Sequence, residues 1–223
     1  MWWLNWQNSM ITKIDFHGIP YIGAYGFCLD SVTMIMPNLG KKRARVQEVL
    51  KTPVVETTIG KSGLLGIFTT GNSSGVVVPH FCEDQEKSLI AQHIPVSIYP
   101  GKHTAIGNLV LANDKGCIIS PLLEKKFFQD ALDNEVVCTT LGGYQTVGSV
   151  GVVTNQAGML HPDLSDEDIA LVEDILHISC GRATANRGVG YIRLCLLANS
   201  HGAIVGGETT GPELVHIEDI LEG

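Results

Sequence analysis

The sequence predicts an α/β fold in which five β-β-α-β units of about 42 residues form a closed ring with five-fold pseudosymmetry. Two columns of residues carry this prediction, because each keeps one spacing of 41 to 44 residues along the chain. The first column is an Asp or Asn in a turn, at Asp30, Asn72, Asn113, Asn155 and Asn199. The second is a proline that becomes a glycine in the last unit, at Pro37, Pro79, Pro121, Pro162 and Gly206.

The second unit illustrates the order of elements inside a repeat. Apolar runs at residues 65–70 and 75–78 predict two strands joined by a turn, because Gly71 and Asn72 tolerate positive φ. Pro79 ends the second strand, since proline cannot donate to a ladder. A helix is predicted at residues 83–92 and a third strand at residues 96–99.

The other units follow the same order. First and second strands are predicted at residues 23–29 and 32–36, and at 191–198 and 203–205. Helices are predicted at residues 41–51, 124–132, 166–177 and 212–221, and third strands at 136–139 and 178–180. Ser165 and Asp168 form a capping-box pattern at the start of the fourth helix.

The fifth unit ends where its third strand is due, about 17 residues after the proline column. Residues 11–16 alternate apolar and polar side chains like a half-buried strand and have no helix before them. We therefore expect this strand to complete the fifth unit and to close the ring, which removes exposed sheet edges. Residues 10–223 then form a single domain, and residues 1–9 are an appendage or a start-site artefact.

Composition narrows the possible partners. The net charge is -8, whereas a protein that grips nucleic acid through phosphates needs an excess of Lys and Arg. Five cations lie in the predicted helix at residues 41–51, and we interpret them as an ordinary solvated helix face or as a basic patch with a use. No apolar run has the roughly 18 residues of a membrane span.

The six cysteines form no C-x-x-C pair, and most lie in apolar runs. Free thiols in a reducing cytoplasm are the simplest interpretation. His80 and His161 flank the proline column, but zinc sites usually show close ligand pairs, so we expect no metal site and no cofactor.

Several motifs in order resemble the translation initiation factor 6 family of archaea and eukaryotes, which has the pentein fold. They are Gly71-Asn72 with Gly75, Val78-Pro79 and Asp84-Gln85-Glu86; Ala105 with Gly107-Asn108 and Asn113-Asp114; Val147-Gly148-Ser149 with Asn155-Gln156, Gly158 and His161-Pro162; and Asn186-Arg187-Gly188. The resemblance covers residues 10–223.

The resemblance implies a cytoplasmic, monomeric and non-catalytic factor that binds the large ribosomal subunit, takes part in its maturation and sterically prevents premature joining of the small subunit. It implies that the main contact is a ribosomal protein near the sarcin-ricin loop, with little direct rRNA contact. The contacting surface is expected on the rim where each unit's first strand begins. The candidate residues there are Ile67, Asn108, Ser149, Val150, Asn186 and Arg187.

Two alternatives remain open at this point. Other penteins are hydrolases that modify guanidines with a Cys nucleophile and a His, for which His161 and Cys180 or Cys195 are the candidates. Cys195 lies in an apolar run, and Cys138 and Cys180 share one repeat column, so packing is the simpler interpretation for these thiols. The second alternative is a repeat scaffold that binds some other protein.

Overall fold

The structure, a computed structural model, describes residues 11–222. Over this range it contains five three-stranded sheets in repeated mixed α/β units. In each sheet the second strand is central, pairing antiparallel with the first strand and parallel with the third. In units one to four a helix connects the second and third strands.

The elements of the first three units follow one order. Unit one consists of β2 (Gly26–Cys28), β3 (Thr33–Ile35), α1 (Lys41–Leu50) and β4 (Val54–Glu56). Unit two consists of α2 (Leu65–Phe68), β5 (Thr70–Asn72), β6 (Gly75–Pro79), α3 (Asp84–Ala91) and β7 (Val96–Tyr99). Unit three consists of α4 (Ile106–Leu109), β8 (Val110–Ala112), β9 (Cys117–Ile119), α5 (Lys125–Leu132) and β10 (Val136–Cys138).

The last two units continue the pattern. Unit four consists of β11 (Gly151–Val153), β12 (Ala157–Leu160), α6 (Asp166–Leu176) and β13 (Ser179–Arg182). Unit five consists of β14 (Leu196–Asn199), β15 (Gly202–Val205) and α7 (Gly211–Glu222). Short 3-10 helices at Ile22–Ala24 and Ile192–Leu194 precede the first strands of units one and five.

The missing strand of unit five comes from the other end of the described chain, as the sequence predicted. Strand β1 (Ile11–Lys13) pairs in parallel with β15, with Ile11 opposite Ala203 and Lys13 opposite Val205. The strand is shorter than predicted, because Phe16 instead forms an isolated bridge with Ile19. Ile14 and Phe16 are buried with Ile204, so this segment joins units one and five in one hydrophobic cluster.

The prediction that residues 65–70 form a strand was wrong at its start. Leu65–Phe68 is a helical turn, and only Thr70–Asn72 is strand. A short apolar run cannot be assigned to helix or strand by periodicity alone. Similar turns begin units one, three and five, which shortens each predicted first strand to three or four residues.

The turn column is also displaced in two units. Strand register aligns Leu29, Asn72, Asn113, Thr154 and Asn199 as the first turn residues. Asp30 and Asn155 belong to the next column, beside Ser73, Asp114 and Ser200. The single Asp/Asn column of the sequence analysis therefore combined residues of two neighbouring columns, because both columns contain Asp and Asn.

The two turn columns hold neighbouring units together in different ways. In the first column, Asn72 Nδ2 donates to the carbonyl of Leu132 at the end of α5, at 2.8 Å. Asn113 and Asn199 make the equivalent bonds to the ends of α6 and α1, both at 2.9 Å. These bonds satisfy helix carbonyls that have no partner inside the helix.

In the second column, each acidic or amide side chain accepts from the backbone of the preceding unit's turn. Asp114 Oδ1 accepts from Ser73 N at 2.7 Å, and Asn155 Oδ1 accepts from Asp114 N at 2.9 Å. Asp30 Oδ1 accepts from Ser200 N at 2.7 Å, which links unit one to unit five by the same contact.

Candidate functional site

The candidate surface lies where the short helical turns precede the first strands. A glycine in four of these turns faces a backbone carbonyl of the preceding unit, so closely that any Cβ would collide with it. A Cβ on Gly107, for example, would lie 2.1 Å from the carbonyl oxygen of Gly66. Close backbone approach of this kind is a common reason for glycine in a fold. The turns of neighbouring units are therefore packed side by side along the rim.

Three of the candidates share one position in these turns. Ile67, Asn108 and Ser149 are each the third residue of the turn and are partly exposed. The turns that carry Asn108 and Ser149 are joined directly, because Gly148 N donates to Asn108 O at 2.9 Å. The structure thus brings these three side chains into one row across units two to four.

Two candidates lie in the interior. Val150 is fully buried in the hydrophobic cluster of unit four, one position after Ser149. Asn186 is 4% exposed, and its side chain donates to Pro20 O and accepts from Thr209 Oγ1. Both side chains position the rim rather than face a partner.

Arg187 is exposed on a separate loop before unit five. Arg187 and Asn186 have positive φ values of 64° and 48°, and the loop continues through Gly188. Glu213, in the first turn of α7, accepts from the backbone N–H of Arg187 at 3.2 Å and of Gly188 at 2.7 Å. The carboxylate therefore fixes the loop that presents the Arg187 guanidinium.

Carboxylates from helix N-termini hold two other rim loops in the same way. Glu86 of α3 accepts from Gly60 N and Lys61 N at 2.6 and 2.9 Å, and Asp168 of α6 accepts from Gly142 N at 3.0 Å. Partial burial opposes ionisation of Glu86, but hydrogen bonds from Thr58 and the loop outweigh it and lower its pKa. An ionised carboxylate is the acceptor that these loops require, so the rim is preorganised at neutral pH.

An aromatic group on this rim was missed by the sequence analysis. Tyr191 is 40% exposed and packs against His161 and Tyr144, with ring centroids 5.0 and 6.2 Å away. Tyr21 occupies the same position in unit one and is 43% exposed. The sequence signal that could have found this group is the Tyr-Ile pair that units one and five share, at Tyr21-Ile22 and Tyr191-Ile192. Exposed tyrosines on a polar rim are typical of protein-binding surfaces.

The cysteines do not have the environment of an activated nucleophile. Burial raises the pKa of Cys180 and of Cys195 to about 12, and Cys195 Sγ donates to the Tyr191 carbonyl at 3.9 Å. His161 is buried against the two tyrosines, and its Nδ1 accepts from Asp163 N at 3.2 Å. Catalytic thiols need a depressed pKa and a nearby base. The expectation that the cysteines pack inside strands was wrong for Cys138, which is exposed.

Over residues 11–222, no group of three or more His, Cys, Asp or Glu side chains is arranged to hold a metal ion. None of the helices in that range has the length and apolar character to cross a membrane.

Comparison with known proteins confirms the resemblance to a known family. The model of the eIF-6 family matches residues 11–220. The chain belongs to the eIF-6 family. Translation initiation factor 6 of Thermococcus onnurineus is 44% identical over 222 residues, covering 95% of this chain and 97% of that protein.

Other archaeal relatives of this eIF-6 family member agree. Translation initiation factor 6 of Pyrococcus horikoshii is 40% identical over 95% of this chain and 98% of its own length. That of Methanocaldococcus jannaschii is 39% identical over 96% of this chain and 98% of its own length. Membership in this family of translation initiation factors assigns the chain to protein biosynthesis.

Proposed function

We propose that this eIF-6 family member binds the large ribosomal subunit and sterically prevents it from joining the small subunit before its maturation is complete. The observation that carries the proposal is the match to Translation initiation factor 6 over nearly the whole chain. The factor acts in the cytoplasm as a monomer and without catalysis, so its affinity and position are the quantities that matter.

We also propose that the five units form a closed ring within a single domain from residue 10. The second-column turn contacts between units two and three and between units three and four have a counterpart between units five and one, through Asp30 and Ser200. The glycine contacts support the same arrangement, because Gly23 of unit one faces the carbonyl of Arg193 in unit five. A rigid ring supplies a broad obstacle to a second large body. The predicted appendage at residues 1–9 lies outside the described residues.

The proposed contact surface consists of the exposed candidates and the tyrosine that the sequence analysis missed: Ile67, Asn108, Ser149, Arg187 and Tyr191. It combines an apolar side chain, polar groups, one cation and an exposed aromatic ring, which is the composition of a protein-binding surface. The net charge of -8 favours a ribosomal protein near the sarcin-ricin loop as the main partner over direct contact with rRNA phosphates.

Sucrose-gradient sedimentation with purified subunits tests the proposal. The protein should comigrate with the large subunit and should lower the peak of joined ribosomes when both subunits are present. A protein that stays at the top of the gradient would instead favour a scaffold for some other partner.

Introduction of a negative charge on the rim tests the surface. Asn108→Glu and Arg187→Glu should each weaken large-subunit binding by tenfold or more, as expected for loss of a central interface contact. Neither should lower the melting temperature, because both side chains reach solvent. Lys125→Glu is the matched control, since Lys125 is exposed on the outer helix α5. Binding that is equally strong in all three variants would remove this rim from the proposal.

A further inference from the structure

The centre of the molecule contains a charged side chain that the proposed function does not use. Four short helical turns have glycine at their second position, namely Gly23, Gly66, Gly107 and Gly148. The fifth turn has Arg193 at this position. The substitution places a guanidinium in the interior, where the other units place no side chain.

Arg193 extends across the middle of the molecule toward unit two. Its Nη2 donates to the carbonyls of Thr69 at 3.2 Å and Gly66 at 3.4 Å. The side chain borders a cavity of about 50 Å³ whose walls include Phe27, Val152 and Leu196. Arg193 is partly buried as a whole, while its Nε has no accessible surface and no hydrogen-bond partner.

The guanidinium has no anionic partner among the described residues. None of the ion pairs of residues 11–222 includes Arg193. Burial lowers its pKa to about 10, so it is still protonated at neutral pH. Burial also raises the pKa of the neighbouring Cys28 to about 12, and this thiol donates to Ala198 O at 3.0 Å. Cys28 is therefore neutral and supplies no counter-charge.

Two carboxylates, those of Asp30 and Asp114, lie at the turns between first and second strands. They line an adjoining cavity of about 180 Å³, which shares wall residues such as Cys28 and Ala198 with the inner one. Both accept from Asn155 Nδ2 at 2.8 Å, and Asp30 also accepts from Ser200. Their oxygens are committed to these turn contacts rather than to Arg193.

We propose that the inner cavity binds a small monovalent inorganic anion, of the size of chloride, against the Arg193 guanidinium. A buried charge without a partner is strongly destabilising. Binding of a counter-ion beside the guanidinium therefore stabilises the folded protein. Water can occupy the same space, because the walls are about as polar as apolar, but water carries no charge to balance the guanidinium. A cavity of this volume admits a halide and excludes large organic anions.

Crystals of the full-length protein soaked in bromide give the direct test. An anomalous peak at hydrogen-bond distance from the Arg193 guanidinium, inside the inner cavity, is the expected result. Density there that is ordinary water, with no anomalous signal, would overturn the proposal. This measurement needs no variant and is independent of ribosome binding.

Halide-dependent melting gives the test in solution. At constant ionic strength kept with sodium gluconate, each tenfold rise in chloride above its dissociation constant should raise the melting temperature by about 3 to 6 °C. Arg193→Met should abolish this response, whereas Arg187→Met removes an exposed guanidinium and should keep it. The site would be refuted if the melting temperature of the unmodified protein did not change with chloride concentration, or if Arg193→Met showed the same change. Subunit binding that fails while the chloride response persists would contradict only the proposed function.

Discussion

At the scale of single residues, the contacts between units depend on glycines, which have no side chain. The glycines of the rim turns let one unit's backbone lie directly against the next unit's carbonyls. A larger residue would not fit at the second turn position of these four units, whereas the Arg193 side chain in unit five reaches the backbone carbonyls of Gly66 and Thr69 in unit two.

Gly107→Ala should destabilise the protein by about 3 kcal/mol, the upper end of the usual cost of overpacking. The new Cβ would lie 2.1 Å from Gly66 O and 2.7 Å from Thr69 O, and a carbonyl backbone cannot move aside as a side-chain end can. Urea denaturation measures the change. Gly211→Ala is the control, because a Cβ there meets nothing within 4 Å. Equal stability of the two variants would show that the rim turns are loosely packed.

At the scale of elements, the turns between first and second strands join the units on the side opposite the rim loops. Partial burial raises the pKa of Asp30, but hydrogen bonds from Ser200 and Asn155 outweigh it, so the net pKa is lowered. A lowered folded-state pKa stabilises the protein fully above the unfolded-state value of about 3.9. This stabilisation is lost as the pH falls through the folded-state pKa.

Asp30→Asn should therefore lower the free energy of unfolding at neutral pH by about 1 kcal/mol, a value that allows for screening at a partly exposed site. The difference from the unmodified protein should shrink as the pH falls below about 4 and vanish below the lowered folded-state pKa, because the Asp30 carboxyl is then protonated in both states. Urea denaturation across this pH range measures it. Asp133→Asn, at the exposed left-handed end of α5, should show no such pH-dependent difference. If the difference in unfolding free energy between Asp30→Asn and the unmodified protein stays constant down to the lowest pH, the charge of Asp30 is excluded as its cause.

At the scale of the whole molecule, the two ends of the described chain build one sheet. Strand β1 supplies the third strand of unit five. Ile14 and Phe16, which follow it, are buried in a hydrophobic cluster that units one and five share. The second-column contact from Asp30 to Ser200 joins the same two units on the other side.

Deletion of residues 1–16 should destabilise the whole fold by on the order of 5 kcal/mol or more, since it removes three buried hydrophobic side chains and exposes the edge of β15. Deletion of residues 1–9 removes none of the strands in the described sheets and should change the melting temperature little. Differential scanning calorimetry compares the two. A chain without residues 1–16 that melts like the full-length protein would contradict the proposed closure.

The sequence by itself determined the number of units, the order of elements within them and the pairing of the first described strand with the last unit. These features can be read from the sequence because the repeat spacing and the alternation of apolar and polar residues are visible along the chain, without knowledge of its three-dimensional contacts. It also placed Ile67, Asn108 and Ser149 at equivalent positions, since the repeat aligns them.

Only the tertiary structure decided which side chains reach solvent or the centre. Val150 directly follows Ser149, yet one is buried and the other partly exposed, because a helical turn rotates each successive side chain by about 100°. The Asp and Asn columns could be separated only by strand register, which depends on pairing between distant residues. Arg193 lies in an apolar sequence, and its place in the centre follows from the packing of units five and two across the molecule.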